Sequence, residues 1–353
     1  MTGPATPPRR SSFAADLLRW QTPLILIAVI VLVACAGTLG DVVWERRVTF
    51  ALVNLVAVIG LYIFMGNSGV LTLSSVGFMA IGAYVSALLT LPVNMKSMFL
   101  PHLPSLLAQA NLDWPVAMLL AGLIPALVAL VAGVMITRLS GIGASIATMS
   151  LLFMIYIVLG NWDELTGGQN SLMGLKTFVK LPVAAGLGAG AILIAFAYQE
   201  SRWAVALRAS REDEVAARSI GVRIVPMRLI AFVIGAFVSG IAGMGFAHFQ
   251  GTLRVENFYL DSTFLFLSML VIGGSGSLTG AVVGTFVVSG LTELFRLSEV
   301  GIALPDAAGR IAVPAGLGDV ILPAVLLAIL IFRPQGILAG RELILWPLHR
   351  NRE

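Results

Sequence analysis

Charge is scarce in this chain. Only 11% of its 353 residues are Asp, Glu, Lys or Arg, and 58% are hydrophobic, whereas a soluble domain carries about 25% charge. That balance excludes a water-soluble globule. Cysteine is nearly absent too: Cys35 stands alone, so an intramolecular disulfide is excluded and no metal-site pattern exists. Lysine is limited to Lys96, Lys176 and Lys180, so the pI near 9.6 comes from arginine. With no basic patch interleaved with aromatics, arginine reads as a topology signal rather than as a nucleic-acid surface. The sequence has no GxxxxGK[ST] loop, no HExxH and no GxSxG. Those absences exclude P-loop binding of ATP and two familiar hydrolytic sites. No catalytic residue and no metal ligand is expected, so the chain is read as a non-enzyme.

What remains is a series of apolar runs that approach the length a bilayer demands. They cover Pro23–Gly40, Thr49–Met65 continuing past a break to Leu91, Pro115–Thr137, Ile142–Gly160, Val183–Tyr198, Leu229–Ala247, Thr263–Leu294 and Leu317–Phe332. The fold class expected is all-α: a polytopic transmembrane helical bundle with about ten membrane segments, some broken or re-entrant. Residues 1–22 read as a basic, disordered tail, 23–338 as the transmembrane domain and 339–353 as a second tail. The interval 92–114 is polar enough to be a loop. Leu32-Val33-Ala34-Cys35 is similar to a lipoprotein cleavage box, but the many spans that follow favour an uncleaved first span. The span interiors are almost free of ionisable groups, which argues against a proton- or ion-coupled carrier.

Charge also orients the spans. With the N-terminus placed inside, the inner side holds Arg9, Arg10, Arg19, Arg138, six arginines of 199–228 and four of the C-terminal tail, 14 of the 22 basic residues. The outer side holds 11 of the 18 carboxylates. This agrees with the positive-inside rule, with both termini cytoplasmic.

The longest polar interval is 199–228, QESRWAVALRASREDEVAARSIGVRIVPMR. Ser210 and Asp213 fit a capping box, with Glu212, Asp213 and Glu214 in the first turn. Gly221 suits the position past the helix end, and Pro226 bars continuation. A helix over 211–220 is therefore expected. Helices this short are marginal in water, so a partner protein on the cytoplasmic face is expected to hold it. Ala216 and Ala217 are small enough to let it seat closely in a groove.

Two stretches echo each other. Gly66-Asn67-Ser68-Gly69-Val70-Leu71-Thr72 matches 273–279 at five of seven positions. The echo predicts two related halves, each with a broken helix, and substrate paths run beside such breaks in several transporter types. Asn67, Ser68, Gly69, Gly274, Ser275 and Gly276 are the candidate path residues. Small residues four apart, at Gly235, Ser239, Gly243 and Ala247 and again at Gly276, Gly280 and Gly284, predict close helix packing rather than ligand contact.

Four motifs then point to a family. They are GNSGVLTLSSVGFMAIGAY at 66–84, NWDELTGGQNSLMG at 161–174, SRWAVALRASREDEVAARSIGV at 201–222 and FRPQGIL at 332–338. In this order and spacing the chain resembles the permease subunits of ABC importers for branched-chain amino acids, in particular the longer of the paired Liv-type permeases. The resemblance implies import of leucine, isoleucine, valine or similar small substrates across a bacterial inner membrane. Related permeases serve urea, short amides or other amino acids, and an ATP-independent carrier or channel is the rival reading. It implies four kinds of contact: a second homologous permease, two ATPase subunits, an external substrate-binding protein and membrane lipid. No cofactor is expected in this chain, because ATP is used by the partners. Glu212, Asp213, Glu214, Ala216, Ala217 and Gly221 are expected to couple to the ATPase; Val215 stands where the family pattern has Glu. Asp163, Glu164, Gln169 and Asn170 are expected to face outward, toward the binding protein.

Overall fold

The computed structural model describes residues 20–101 and 103–300, and beyond them residues 324, 333, 336–338, 340 and 342. All but one residue of the expected last span, Leu317–Phe332, and most of both tails lie outside the described residues. The helices in chain order are α1 (Gln21–Thr38), α2 (Val42–Ser68), α3 (Ser75–Thr90), α4 (Val93–Phe99), α5 (Ser105–Gln109), α6 (Trp114–Ile136), α7 (Gly141–Asn161) and α8 (Asp163–Thr166). After the strand β1 (Leu172–Met173) come α9 (Leu181–Gln199), α10 (Arg202–Glu212), α11 (Glu214–Ser219) and α12 (Ile224–Gln250). After β2 (Thr252–Leu253) and a 3-10 turn at Val255–Phe258 come α13 (Leu260–Gly273) and α14 (Leu278–Val300). Among the described residues, eight helical stretches are long and apolar enough to cross a membrane, and α3 is a shorter apolar one. The chain is an all-α polytopic bundle.

The long helices run back and forth between two ends. At one end, Arg228 donates to Leu139 O and Arg211 to Gly66 O, which gathers the breaks and the arginine-rich interval together. At the opposite end, β1 pairs antiparallel with β2, Leu172 beside Leu253, and Leu112 N donates to Leu89 O.

α12 is the axis, packed against α2, α3 and α6. Its small-residue stripe makes that possible. A methyl group on Gly235 would meet Gly60 O at 2.8 Å, and one on Gly243 would overlap Met79 O. Gly240 rests on Ala121 O, the carbonyl that Pro125 leaves without an intrahelical donor. The helix α6 sorts residues by size. Ala117, Ala121, Ala129 and Gly133 are buried, while Leu119, Leu123, Leu127 and Val131 are exposed. Large side chains outward suit lipid, where backbone proximity rather than water exclusion drives packing. Gly273 similarly nests on Gly280 and Gly284, joining α13 to α14. The expected packing role is what Gly235 and Gly243 display on α12 and Gly280 and Gly284 on α14, whereas Gly276 lies in the turn before α14, beside Arg211.

The interval 92–114 departs from expectation. It holds the short helices α4 and α5, folded around Lys96, which is 1% exposed. The Lys96 ammonium donates to Leu107 O and Ala110 O. Burial holds its pKa below the usual lysine value. A lone buried cation can organise a polar loop in this way, and residue composition does not reveal it.

Candidate functional site

The site is built where α2 and α13 end. The two helices point their C-termini at the same end of the bundle, and each stops at the echoed glycine-rich stretch. α2 closes on Gly69, in the left-handed region at φ 69°, with Gly69 N donating to Met65 O. Within the last turn Asn67 Nδ2 and Ser68 Oγ donate back to Ile63 O and Phe64 O. The freed backbone beyond is satisfied by hydroxyls: Val70 N donates to Ser68 Oγ, Leu73 N to Thr148 Oγ1, and Ser145 Oγ donates to Leu71 O. Asn67 is fully buried, and its Oδ1 has no partner among the described residues.

The second break is held by the distant C-terminal segment. Ile337 N donates to Ile272 O and Leu338 N to Gly273 O. The Glu342 carboxylate caps α14, accepting from Leu278 N at 2.8 Å, Thr279 N at 3.1 Å and Thr279 Oγ1 at 2.6 Å. A carboxylate at a helix N-terminus satisfies orphan donors and complements the dipole. Glu342 also accepts from Gln199 Nε2, and Gln199 Oε1 accepts from Tyr62 OH. Sequence reading missed Glu342 and Gln199; both are polar residues flanking apolar runs, but their partners are far along the chain.

The arginine-rich interval lies over these ends as two helices, which corrects the expected single helix over 211–220. Ser201 Oγ caps α10 by accepting from Ala204 N, and α10 runs on through Ser210 to Glu212. Ser210 is therefore not an N-cap. It is buried in the last turn of α10 and donates to Leu207 O. The cap is Asp213, extended at φ −150°, whose Oδ1 accepts from Val215 N at 2.8 Å and Ala216 N at 3.0 Å. Glu212 ends the preceding helix, and only Glu214 lies in the first turn of α11. At the other end Gly221, at φ 88°, completes a Schellman motif: its N–H donates to Arg218 O and that of Val222 to Ala217 O. The expected role for Gly221 at the helix end is thus met, on a helix of six residues.

α11 is anchored as well as capped. Glu214 accepts from Arg218 at 2.6 Å on its own helix and from Arg228 at 3.3 Å at the base of α12. Arg228 is 4% exposed and Glu214 partly so, a pair whose separation strands a buried charge. Ala217 faces the chain's own interior, 3% exposed, while Ala216 is exposed. Val215 and Ile220, each 78% exposed, form the outward apolar face. Between α11, Arg211 and the residues Ser68 to Leu71 lies an open cleft of about 640 Å³. Mid-bundle, between Leu61, Thr72, Ser239 and Phe266, the chain encloses only about 10 Å³, space for one water and far too small for an amino acid.

At the opposite end, Asp163 and Glu164 form the exposed start of α8, and Gln169 and Asn170 are exposed beyond it. Gly167, Gly168 and Gly174 all take positive φ and fold the loop back. Thr166 Oγ1 donates to Leu159 O and Trp162 O, and β1 ties the loop to β2. Below it His248 is fully buried, its ring stacked on Phe178 and within hydrogen-bond distance of Thr90 Oγ1 and Lys176 O. The four candidate residues thus share one exposed face, well away from the breaks.

The capped α11 and the breaks thus lie at one end of the bundle and the Asp163–Asn170 face at the other. The family described as branched-chain amino acid transport system, permease component, matches residues 45–330. The chain belongs to this family. The high-affinity branched-chain amino acid transport system permease protein LivM of Salmonella typhimurium is 28% identical over 326 residues, covering 82% of this chain and 68% of that protein. Its Escherichia coli counterpart is 27% identical over the same shares. A probable LivM of Methanocaldococcus jannaschii is 25% identical over 149 residues, 41% of this chain and 42% of that protein. No solved structure matches the chain. The chain is therefore a multi-pass membrane permease component for branched-chain amino acid transport, in a family of transport proteins rather than enzymes.

Proposed function

We propose that this chain is the pore-forming half of an ATP-driven importer for leucine, isoleucine and valine in a bacterial inner membrane. It works beside a second, homologous permease. Two separate ATPase subunits bind and hydrolyse ATP, and this chain carries no cofactor. The observation that supports the reading is α11: a six-residue helix, capped at both ends by its own sequence, anchored to the bundle and presenting Val215 and Ile220 outward. A helix preformed in this way transmits motion without first being ordered. Glu212, Asp213, Glu214, Ala216, Ala217 and Gly221 build and seat it, and the ATPase meets its Val215–Ile220 face. The arginine-rich end is cytoplasmic, as are both termini, and the Asp163–Asn170 face meets the external binding protein. Asn67, Ser68, Gly69, Gly274, Ser275 and Gly276 flank the inner end of the substrate path, whose access alternates as the breaks move.

Reconstitution tests this. Leucine uptake into liposomes holding both permeases and the ATPases is expected to require ATP and the binding protein. Concentrative uptake by this chain alone, without ATP, would identify a secondary carrier instead.

A further inference from the structure

Arg211 stands where the three parts of the site meet. It leaves the last turn of α10, and its Nη1 donates to Gly66 O at 2.8 Å, an end carbonyl of α2. Its methylenes cross Gly69 so closely that a Cβ there would stand 2.8 Å from Arg211 Cγ. Its Nη1 and Nη2 end beside Gly276, 3.6 Å and 3.7 Å from where a Cβ would be. The two breaks themselves touch: a Cβ on Gly66 would lie 2.7 Å from Ser275 O. One guanidinium is therefore hydrogen-bonded to the C-terminal end of α2 and packed beside Gly276, in the turn between α13 and α14. The α2 C-terminus carries partial negative charge and orphan carbonyls that hold the cation, and the far edge of the held guanidinium then fixes where Gly276 can rest. Lysine supplies the charge but not the planar fork of donors. Asp213, the cap of α11, is two residues on from Arg211.

We propose that Arg211 is the positioning residue that joins α11 to both broken helices, so that displacement of α11 opens or closes the two breaks together. Arg211 touches no reacting group; it acts through the backbone of Gly66, Gly69 and Gly276. The proposal rests on the powered-importer reading for its role in transport, but the contact itself does not.

Two measurements separate these. In the purified chain, hydrogen exchange is compared for wild type, Arg211→Lys and Arg211→Ala. Arg211→Ala is expected to speed exchange of the 69–73 amides by about tenfold, as loss of a charge-assisted hydrogen bond does, and to speed the 274–277 amides with them, because the packing on Gly276 is lost in the same step. Arg211→Lys should recover part of the protection at both. Faster exchange at one break only, or at neither, overturns the joint role whatever drives transport. In the assembled transporter, Arg211→Ala is expected to hydrolyse ATP while moving about tenfold less leucine per ATP. A wild-type ratio overturns the coupling role. Loss of both activities in step with loss of folded protein would mark Arg211 as merely structural, and it too overturns the proposal. Uptake that ignores ATP would defeat the importer reading, while the exchange measurement still decides whether Arg211 joins the breaks.

Discussion

The stretches 66–72 and 273–279 are near copies in sequence, yet they are held by different means. The first break is closed from within the membrane bundle, by the hydroxyls of Ser68, Ser145 and Thr148. The second is closed by a segment far along the chain, through the backbone of 337–338 and the carboxylate of Glu342. Similar glycine-rich sequences set where a helix stops, because both leave the same orphan groups. They do not set which groups answer the orphans. Each break thus has its own anchor, the first in the neighbouring spans and the second in the C-terminal segment.

That contrast can be broken from either side. The largest effect is expected for Glu342→Ala, which removes the acceptor of two α14 amides, the Thr279 hydroxyl and the Gln199 amide. Charged hydrogen bonds contribute about 1.5–3 kcal/mol each when lost singly. A loss of about 3 kcal/mol is expected in denaturant titrations in detergent, with faster exchange confined to the second break.

Next come the glycines. Gly69→Ala is expected to cost about 2 kcal/mol, from left-handed strain plus overlap with Arg211. Part of that should return in Gly69→Ala combined with Arg211→Ala. Gly274→Ala, at φ 112° and with Gly336 close beside its backbone, should cost at least as much and gain nothing from Arg211→Ala. Equal rescue of both would remove the distinction between the breaks. The smallest effect is expected for Ser145→Ala, about 1 kcal/mol, since one hydrogen bond to Leu71 O is lost. Its added exchange should stay at the first break.

The spans among the described residues were legible in the sequence because each is a long apolar run, and Gly221 was legible because a positive φ past a short helix favours glycine. The echo pointed to both breaks for the same local reason. The cap was misread because SRED and the preceding SRWAVALRAS compete. Ser201 starts a helix whose Ala204 and Leu207 are buried, and it carries Ser210 past the position where it could cap anything. The roles of Arg211 and Glu342 were hidden for another reason. Arg211 meets a carbonyl 145 positions away, and Glu342 caps a helix 63 to 64 positions before it. Local pattern carries no trace of such pairs. Ala217 shows the same limit: its small size was visible, but its side chain serves the chain's own packing, and the outward face belongs to Val215 and Ile220.

The central claim is that α11 receives the force of ATP hydrolysis through that outward face. A photo-activatable side chain placed at position 215 in the assembled transporter tests it most directly. The account predicts an adduct with an ATPase subunit, lost when Ile220→Asp breaks the apolar face. Adducts confined to lipid or to the second permease would contradict it.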